Sequence, residues 1–336
     1  MKPILHNDTI QIEITNACVY QCGNCTRFVG HHKKPFFMDF DTFKEAVDAT
    51  ADFAKMDQFP GAHFVGMMGG EPLIHPEFER FCNYLHSKVE PRWTGLWTTF
   101  PKGFEHYREV IVETFGNIFL NDHTRDDVMH SPVLVSANEL PCQEWEKWYR
   151  IEHCWAQASW SASINPFGAY FCEIAASLAM LLNKRYDAKG NEIAWPVIPG
   201  WWTRVPINYT HQIKEFCGLC GMAMPLKKRA SVDGIDDISP KMYERLKNTS
   251  PKIKSGKYAI HDLNFCQDDR PYASYKDPLY RDKIADRYGI FLFQNDLRFL
   301  TPYLKKNWKE VKNNGEIKQA DGISESEHSR ETSRHV

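Results

Sequence analysis

Apolar and polar positions follow two different rhythms along the first 140 residues. Short apolar runs rich in β-branched and aromatic side chains recur at 9–15, 63–68, 94–99, 117–121 and 132–137, and each reads as a buried strand. Between them the apolar residues recur at helical spacing over 41–55, 75–88 and 104–115. Asp41 is expected to cap the first of these helices, and Pro76 falls near the first turn of the second. Strand and helix in regular alternation predict βαβ units, an α/β class and a mainly parallel sheet.

The rhythm breaks after Pro141. A Trp- and Cys-dense segment runs over 145–172, followed by an apolar helix near 173–184 and a Pro/Trp-rich passage containing Trp195, Trp201 and Trp202. The expected organisation is therefore a core at 1–140, a Cys-rich α+β part at 141–235, a mixed segment at 236–312 with a helix near 279–288, and a tail at 313–336. That tail carries almost no apolar side chains with which to offset the entropy of ordering, so it is expected to be disordered. No fixed-period repeat is present, which argues against a solenoid or propeller.

Composition adds an exclusion and a question. With 41 Lys+Arg against 43 Asp+Glu, a net charge of −2 gives no general pull towards nucleic acid or an anionic membrane. No basic leader precedes an apolar stretch at the start, and no window approaches the ~20 apolar residues of a membrane span, so a cytoplasmic protein is expected. A chain of 336 residues needs no disulfide staples to hold a core. Its ten cysteines then point to metal ligation, catalysis or burial.

Cys18, Cys22 and Cys25 form a C-x3-C-x2-C array in the loop after the first strand. Three thiolates converging there suit zinc or an iron–sulfur cluster and leave one coordination position for other chemistry. The loop resembles the cluster motif of the radical S-adenosylmethionine (radical SAM) superfamily. That resemblance implies an incomplete parallel (β/α)6 barrel and a [4Fe–4S] cluster on the three cysteines, with S-adenosylmethionine chelating the fourth iron. The family often has an aromatic residue before the third cysteine; here it is Asn24, with Phe28 as a substitute for stacking on adenine. Gly69-Gly70-Glu71-Pro72 resembles the family's motif at the end of the second strand, where the methionyl amino group is held. Two glycines let the backbone approach closely and present carbonyl acceptors to an ammonium group. By the same resemblance Thr98 and Thr99, ending the third strand, are assigned to the ribose. Asn121 and His123 end the fourth strand, where parallel α/β folds place ligands, and are read either as facing substrate or, for His123, as a structural histidine.

Cys154, Cys172, Cys217 and Cys220 form a second group. Residues 154–172 read as a hairpin turning at Asn165-Pro166-Phe167-Gly168, with Cys154 before it and Cys172 closing it, and Cys217-Gly-Leu-Cys220 is a C-x2-C knuckle. Four thiolates make a closed site for zinc or a second [4Fe–4S] cluster. The pattern is similar to the auxiliary-cluster extensions of radical SAM enzymes, the twitch form or a reduced SPASM domain. Cys82 reads as a buried small hydrophobe. Cys142 and Cys266 have no assigned place and are candidates for a hydrogen-atom donor.

The resemblance implies that flavodoxin or ferredoxin supplies an electron, that S-adenosylmethionine is cleaved to a 5′-deoxyadenosyl radical, and that hydrogen is taken from a substrate for oxidation or epimerisation. The first strand starts within ten residues of the N-terminus, so no peptide-recognition domain is expected ahead of it. A small polar metabolite is favoured: a sugar, cyclitol, amino acid or nucleotide derivative. Two other readings stand beside it, a peptide-modifying maturase of the same superfamily and a non-catalytic iron–sulfur or zinc protein that senses redox state or binds a partner.

Overall fold

The computed structural model describes residues 1–56, 63–159, 161–265 and 290–293. The chain opens as three successive βα units: β1 (Thr9–Thr15), α1 (Phe40–Thr50), β2 (Phe64–Gly69), α2 (Phe78–Lys88), β3 (Thr94–Thr98), α3 (Arg108–Thr114) and then β4 (Asn117–Asn121). All three strand pairings are parallel, which needs the crossover helices that the apolar periodicity predicts. Every residue of β1 is buried. By strand alternation Ile10, Ile12 and Ile14 share one face, and Thr9, Gln11, Glu13 and Thr15 the other.

Helix starts are decided by caps. Asp39, not the expected Asp41, caps α1, because its carboxylate accepts from the Thr42 backbone N–H at 2.9 Å and from the Thr42 hydroxyl at 2.7 Å. The helix ends at Thr50, and Phe53–Lys55 continues as a separate 3-10 turn. Pro76 lies just outside α2 rather than in its first turn.

The run at 132–137 is not a strand. Only β5 (Met129–His130) forms there, and the following backbone folds into turns in which Val133 N–H donates to Ser131 O and Val135 N–H to Pro132 O. Pro132 has no N–H to give to a ladder. The run is apolar because Val135 and Ala137 are buried in a second core with Leu140, Ile151, Ala223, Met224 and Leu226.

Beyond it come α4 (Glu144–Glu152), α5 (Trp155–Ser159), β6 (Ser161–Asn165), β7 (Gly168–Tyr170) and α6 (Glu173–Leu181). The expected hairpin is present as β6 and β7, antiparallel across the Asn165–Gly168 turn, but its first arm begins as the helical turn α5. β6 also runs parallel to β1. The sheet is thus continuous across the expected boundary at 141, and Met1–Asp296 make one compact unit. The remaining elements are α7 (Thr210–Phe216), β8 (Arg229–Ala230), β9 (Asp236–Ile238), α8 (Pro240–Leu246), α9 (Pro251–Lys254), β10 (Tyr258–Ile260) and β11 (Ile290–Phe293). The seven-stranded sheet has the order β11-β4-β3-β2-β1-β6-β7. Its five central strands are parallel, one fewer than the expected six, with antiparallel β11 and β7 at the edges.

The expected helix at 279–288, Cys266 and the tail at 313–336 lie outside the described residues. Among the described residues no helix is long and apolar enough to cross a membrane.

Candidate active site

Cys18, Cys22 and Cys25 sit in the loop leaving β1 and line a cleft of about 1030 Å³, measured out to solvent, together with Gly69, Gly70, Thr98, Thr99, Asn121 and His123. Strand ends β1 to β4 therefore converge on one place, as the C-terminal ends of parallel strands do in α/β sites. The three thiols are close enough to act on one another's charge: burial, opposed by backbone bonds and augmented by Cys25 and Glu71, pushes Cys18 up to about 12. Burial, then Cys25 and Cys18, likewise raise Cys22, and the Lys252 charge opposes them. Thiols so placed need a bound cation to be held as thiolates.

Gly69 and Gly70 bring β2 against the cysteine loop itself. A Cβ on Gly70 would stand 2.1 Å from the Ala17 carbonyl oxygen, and one on Gly69 2.2 Å from that of Thr15. Gly70 N–H donates to Thr15 O, and Glu71 N–H to Ala17 O. Glu71 braces the next turn. Its fully buried carboxylate accepts from the Thr98 hydroxyl at 2.6 Å, the Thr99 hydroxyl at 2.7 Å, the Thr99 N–H at 2.8 Å and the Leu73 N–H at 3.1 Å. Burial raises the Glu71 carboxyl, and these donors pull it back down. Pro72 opens the 3-10 turn Pro72–Ile74, with Glu71 as its N-cap. While donating to Glu71, the Thr98 hydroxyl accepts from the Phe100 N–H at 2.8 Å and keeps one acceptor lone pair, and the Thr99 hydroxyl also keeps acceptor capacity.

Asn24 explains the missing aromatic. Its backbone is left-handed, with φ at 51°. Its side-chain amide donates to Asp237 at 2.8 Å and accepts from the Asp237 N–H at 2.8 Å, and its own N–H reaches Asp236. Four consecutive loop residues are held this way from beyond residue 230: Gln21 by Lys257, Cys22 by Lys252, Gly23 by Ser231 and Asn24 by Asp236 and Asp237. Phe28 is buried in the core at 1% exposure and does not line the cleft.

Of the other lining residues, Arg27, Glu173 and His130 carry no sequence signal of their own, whereas His123 is expected at the strand end. Arg27 follows the third cysteine by two positions and forms a buried ion pair with Glu173 at 2.6 Å, while also donating to Gln11 and Ser177. His123 faces His130 ring to ring at 5.1 Å, and its Nδ1 is buried without a hydrogen-bond partner. Burial, with His130 adding to it, lowers His123 to about 4, so a neutral imidazole faces the cleft.

Cys154, Cys172, Cys217 and Cys220 all line a second cavity of about 400 Å³ measured out to its mouth. Burial, compounded by repulsion from Cys154, pushes Cys172 up to about 12, and burial with the other three raises Cys217. The two cavities share a wall. Met222 lines both, and Trp155 and Glu173, each directly following one of these cysteines, line the first. Among the described residues no group of His, Cys, Asp and Glu is drawn tightly enough around one point for a single metal ion.

Cys142 packs against the second core and is not among the residues lining the cleft. Cys82 is fully buried on α2, as expected. Trp195, Trp201 and Trp202 are buried core, with the Trp202 indole donating to Ala49 O at 3.2 Å, and they form no wall of the site.

No family model matches the chain, and no curated protein matches it. Seven chains of solved structures do. One is BtrN in complex with AdoMet and 2-DOIA, 15% identical with a TM-score of 0.35, covering 50% of this chain and 73% of that one. Another is selenomethionine BtrN in an open conformation, 14% identical with a TM-score of 0.31, covering 49% and 69% respectively.

Proposed function

We propose that this chain is a radical SAM enzyme that oxidises a small polar metabolite, with a [4Fe–4S] cluster held by Cys18, Cys22 and Cys25 and a second cluster held by Cys154, Cys172, Cys217 and Cys220. The observation that carries the reading is the shared wall. A three-thiol site open to a cleft stands beside a four-thiol cavity, with Met222 on both and the neighbours of Cys154 and Cys172 in the cleft. A substrate in the cleft is then next to a centre able to accept its electron, which suits a two-electron oxidation. The three-thiol set leaves a coordination position open to the cleft, which suits a cluster that binds a cofactor rather than a closed structural zinc site.

When bound, the first cluster and S-adenosylmethionine supply one-electron cleavage and hydrogen-atom abstraction. The chain's own residues do the rest. The carbonyl edge at Gly69–Gly70 receives the methionyl ammonium, and Thr98 and Thr99 offer acceptor lone pairs to the ribose. Arg27 and Glu173 present a fixed ion pair to a polar substrate, and the neutral His123 ring, whose Nδ1 has no hydrogen-bond partner, offers it a hydrogen bond. Placing these groups on strand ends and braced turns fixes the substrate for hydrogen transfer, and the enclosing cleft restricts water.

The reductant is flavodoxin or ferredoxin, and the setting is the cytoplasm. Anaerobically purified protein is expected to hold about eight irons per chain and to release 5′-deoxyadenosine when reduced with S-adenosylmethionine. Zinc at both sites, or 5′-deoxyadenosine formation that survives Cys18, Cys22 and Cys25 all changed to Ala, refutes the proposal and leaves a non-catalytic metal protein. Deuterium transfer into 5′-deoxyadenosine from a panel of labelled metabolites identifies the substrate.

A further inference from the structure

Beneath the cysteine loop lies a buried charge cluster that none of the steps above uses. The Lys252 side chain is 0% exposed and its ammonium stands 2.8 Å from Asp236, itself 3% exposed. The same ammonium donates to the Cys22 carbonyl oxygen at 2.8 Å. Asp236 also accepts from His31 Nε2 at 2.6 Å and from the Asn24 N–H at 2.5 Å. His31 Nδ1 meets the Ser250 hydroxyl at 2.8 Å, and that hydroxyl in turn accepts from the Ile253 N–H at 3.1 Å. His31 thereby links Asp236 to Ser250.

Burying an ammonium is costly, and the ion pair with Asp236 does not require that the ammonium also touch the cysteine loop. Yet it does, on the backbone of the middle cysteine. Lys252 is further fixed by its own N–H on Gly30 O at 3.0 Å. Both ends of the pair therefore fasten the loop, Lys252 at the Cys22 carbonyl and Asp236 at the Asn24 N–H, and it is the Lys252 charge that acts on the Cys22 thiol, lowering it against the effect of burial.

We propose that Lys252 is a positioning residue for the first iron–sulfur site, whose buried charge, delivered through the Cys22 carbonyl, raises the reduction potential of the cluster held by Cys18, Cys22 and Cys25. The inference rests on the cluster reading above. A reduced cluster carries one more negative charge than an oxidised one, and a fixed cation within the same poorly screened interior stabilises that extra charge. The consequence is an electron accepted more easily from a weak donor protein.

The test is a redox titration of the full-length, anaerobically purified protein with titanium(III) citrate, followed by electron paramagnetic resonance without S-adenosylmethionine. The first cluster is identified as the signal that changes when S-adenosylmethionine is added. Lys252→Met keeps the length of the side chain and removes its charge. About a tenfold loss in the reduction equilibrium is expected, which is 59 mV for a one-electron couple. Asp236→Asn removes the opposing charge and leaves Lys252 in place, so its potential is expected to rise. A purely structural role would loosen the loop in both variants and shift both in one direction. Unchanged potentials, or shifts of the same sign, overturn the proposal. If Lys252→Met loses the first cluster, Asp236→Asn decides alone: a rise supports the proposal, and no change or a fall overturns it. A wild-type protein without iron at Cys18, Cys22 and Cys25 overturns the cluster reading itself, a different outcome from an intact cluster indifferent to Lys252.

Discussion

Changing Glu13 to Gln should alter how stability depends on pH. Glu13 lies on β1, the strand between β2 and β6, and is 1% exposed. Its Oε2 has no hydrogen-bond partner. Burial lifts its carboxyl from 4.5 to about 7, with Arg27 pulling it down and Glu173 pushing it further up. The folded chain therefore holds this proton more tightly than the unfolded chain does. Its contribution to stability is full below about pH 4.5 and is lost as the pH rises through about 7. The gap of about 2.5 between the two values, at 1.36 kcal/mol each, amounts to about 3 kcal/mol. Gln has the same shape and cannot ionise, so Glu13→Gln should gain about 3 kcal/mol relative to the natural chain between pH 4 and pH 8. Anaerobic urea unfolding across that range measures the difference. Infrared spectroscopy gives an independent reading, because the natural chain should show a protonated carboxyl band that titrates near 7 and is missing from the variant. Parallel stability profiles for the two proteins, or a band that titrates near 4, would refute the reasoning.

Three further outcomes are expected. Gly70→Ala places a Cβ 2.1 Å from the Ala17 carbonyl oxygen, backbone that cannot step aside, and should cost about 3 kcal/mol along with iron from the first site, read by thermal melting and iron content. Asn24→Ala forfeits both side-chain bonds to Asp237 and forces a Cβ residue without local hydrogen bonds into left-handed backbone. Asn24→Gly loses the same bonds but should be about 1 kcal/mol more stable than Asn24→Ala in the same denaturation assay. Cys217→Ala should lower the iron count from about eight to about four per chain while leaving the signal that responds to S-adenosylmethionine.

The parallel part of the fold was legible because each strand is buried on both faces and each helix on one. β1 and β4 fall at the expected residues, and β2 and β3 lie within one residue of them. The error at 132–137 has the same physical root. Val133, Leu134 and Val135 are as apolar and as buried as a strand, but turns bury them too, Val135 in the second core, and periodicity cannot tell the two apart. The Cys154–Cys172 segment misled in another way, since its β6 belongs to the main sheet beside β1 and not to a separate part. Cysteine spacing picked out the two groups of thiols that line the cleft and the second cavity, because such groups leave a local pattern. The residues that fasten the first loop left none. Asp236, Asp237 and Lys252 are ordinary surface residue types, and only folding shows that they are buried beneath a loop more than 200 positions away.

That distance has a consequence for the order in which the molecule is made. The Cys22 carbonyl and the Lys252 ammonium that holds it are 230 positions apart. At ~5–20 residues per second a ribosome needs roughly 10–50 s to cover that interval. The three cysteines emerge early, and all of the loop's fastenings from Ser231 to Lys257 arrive late. Until then the loop is an open, reactive trio of thiols on a partly built sheet. On the proposed reading, loading of the first site would be a late event, coupled to the docking of the chain beyond residue 230, and a truncated chain ending at the sequence's apparent boundary near 141 would carry the three cysteines without the groups that fasten their loop.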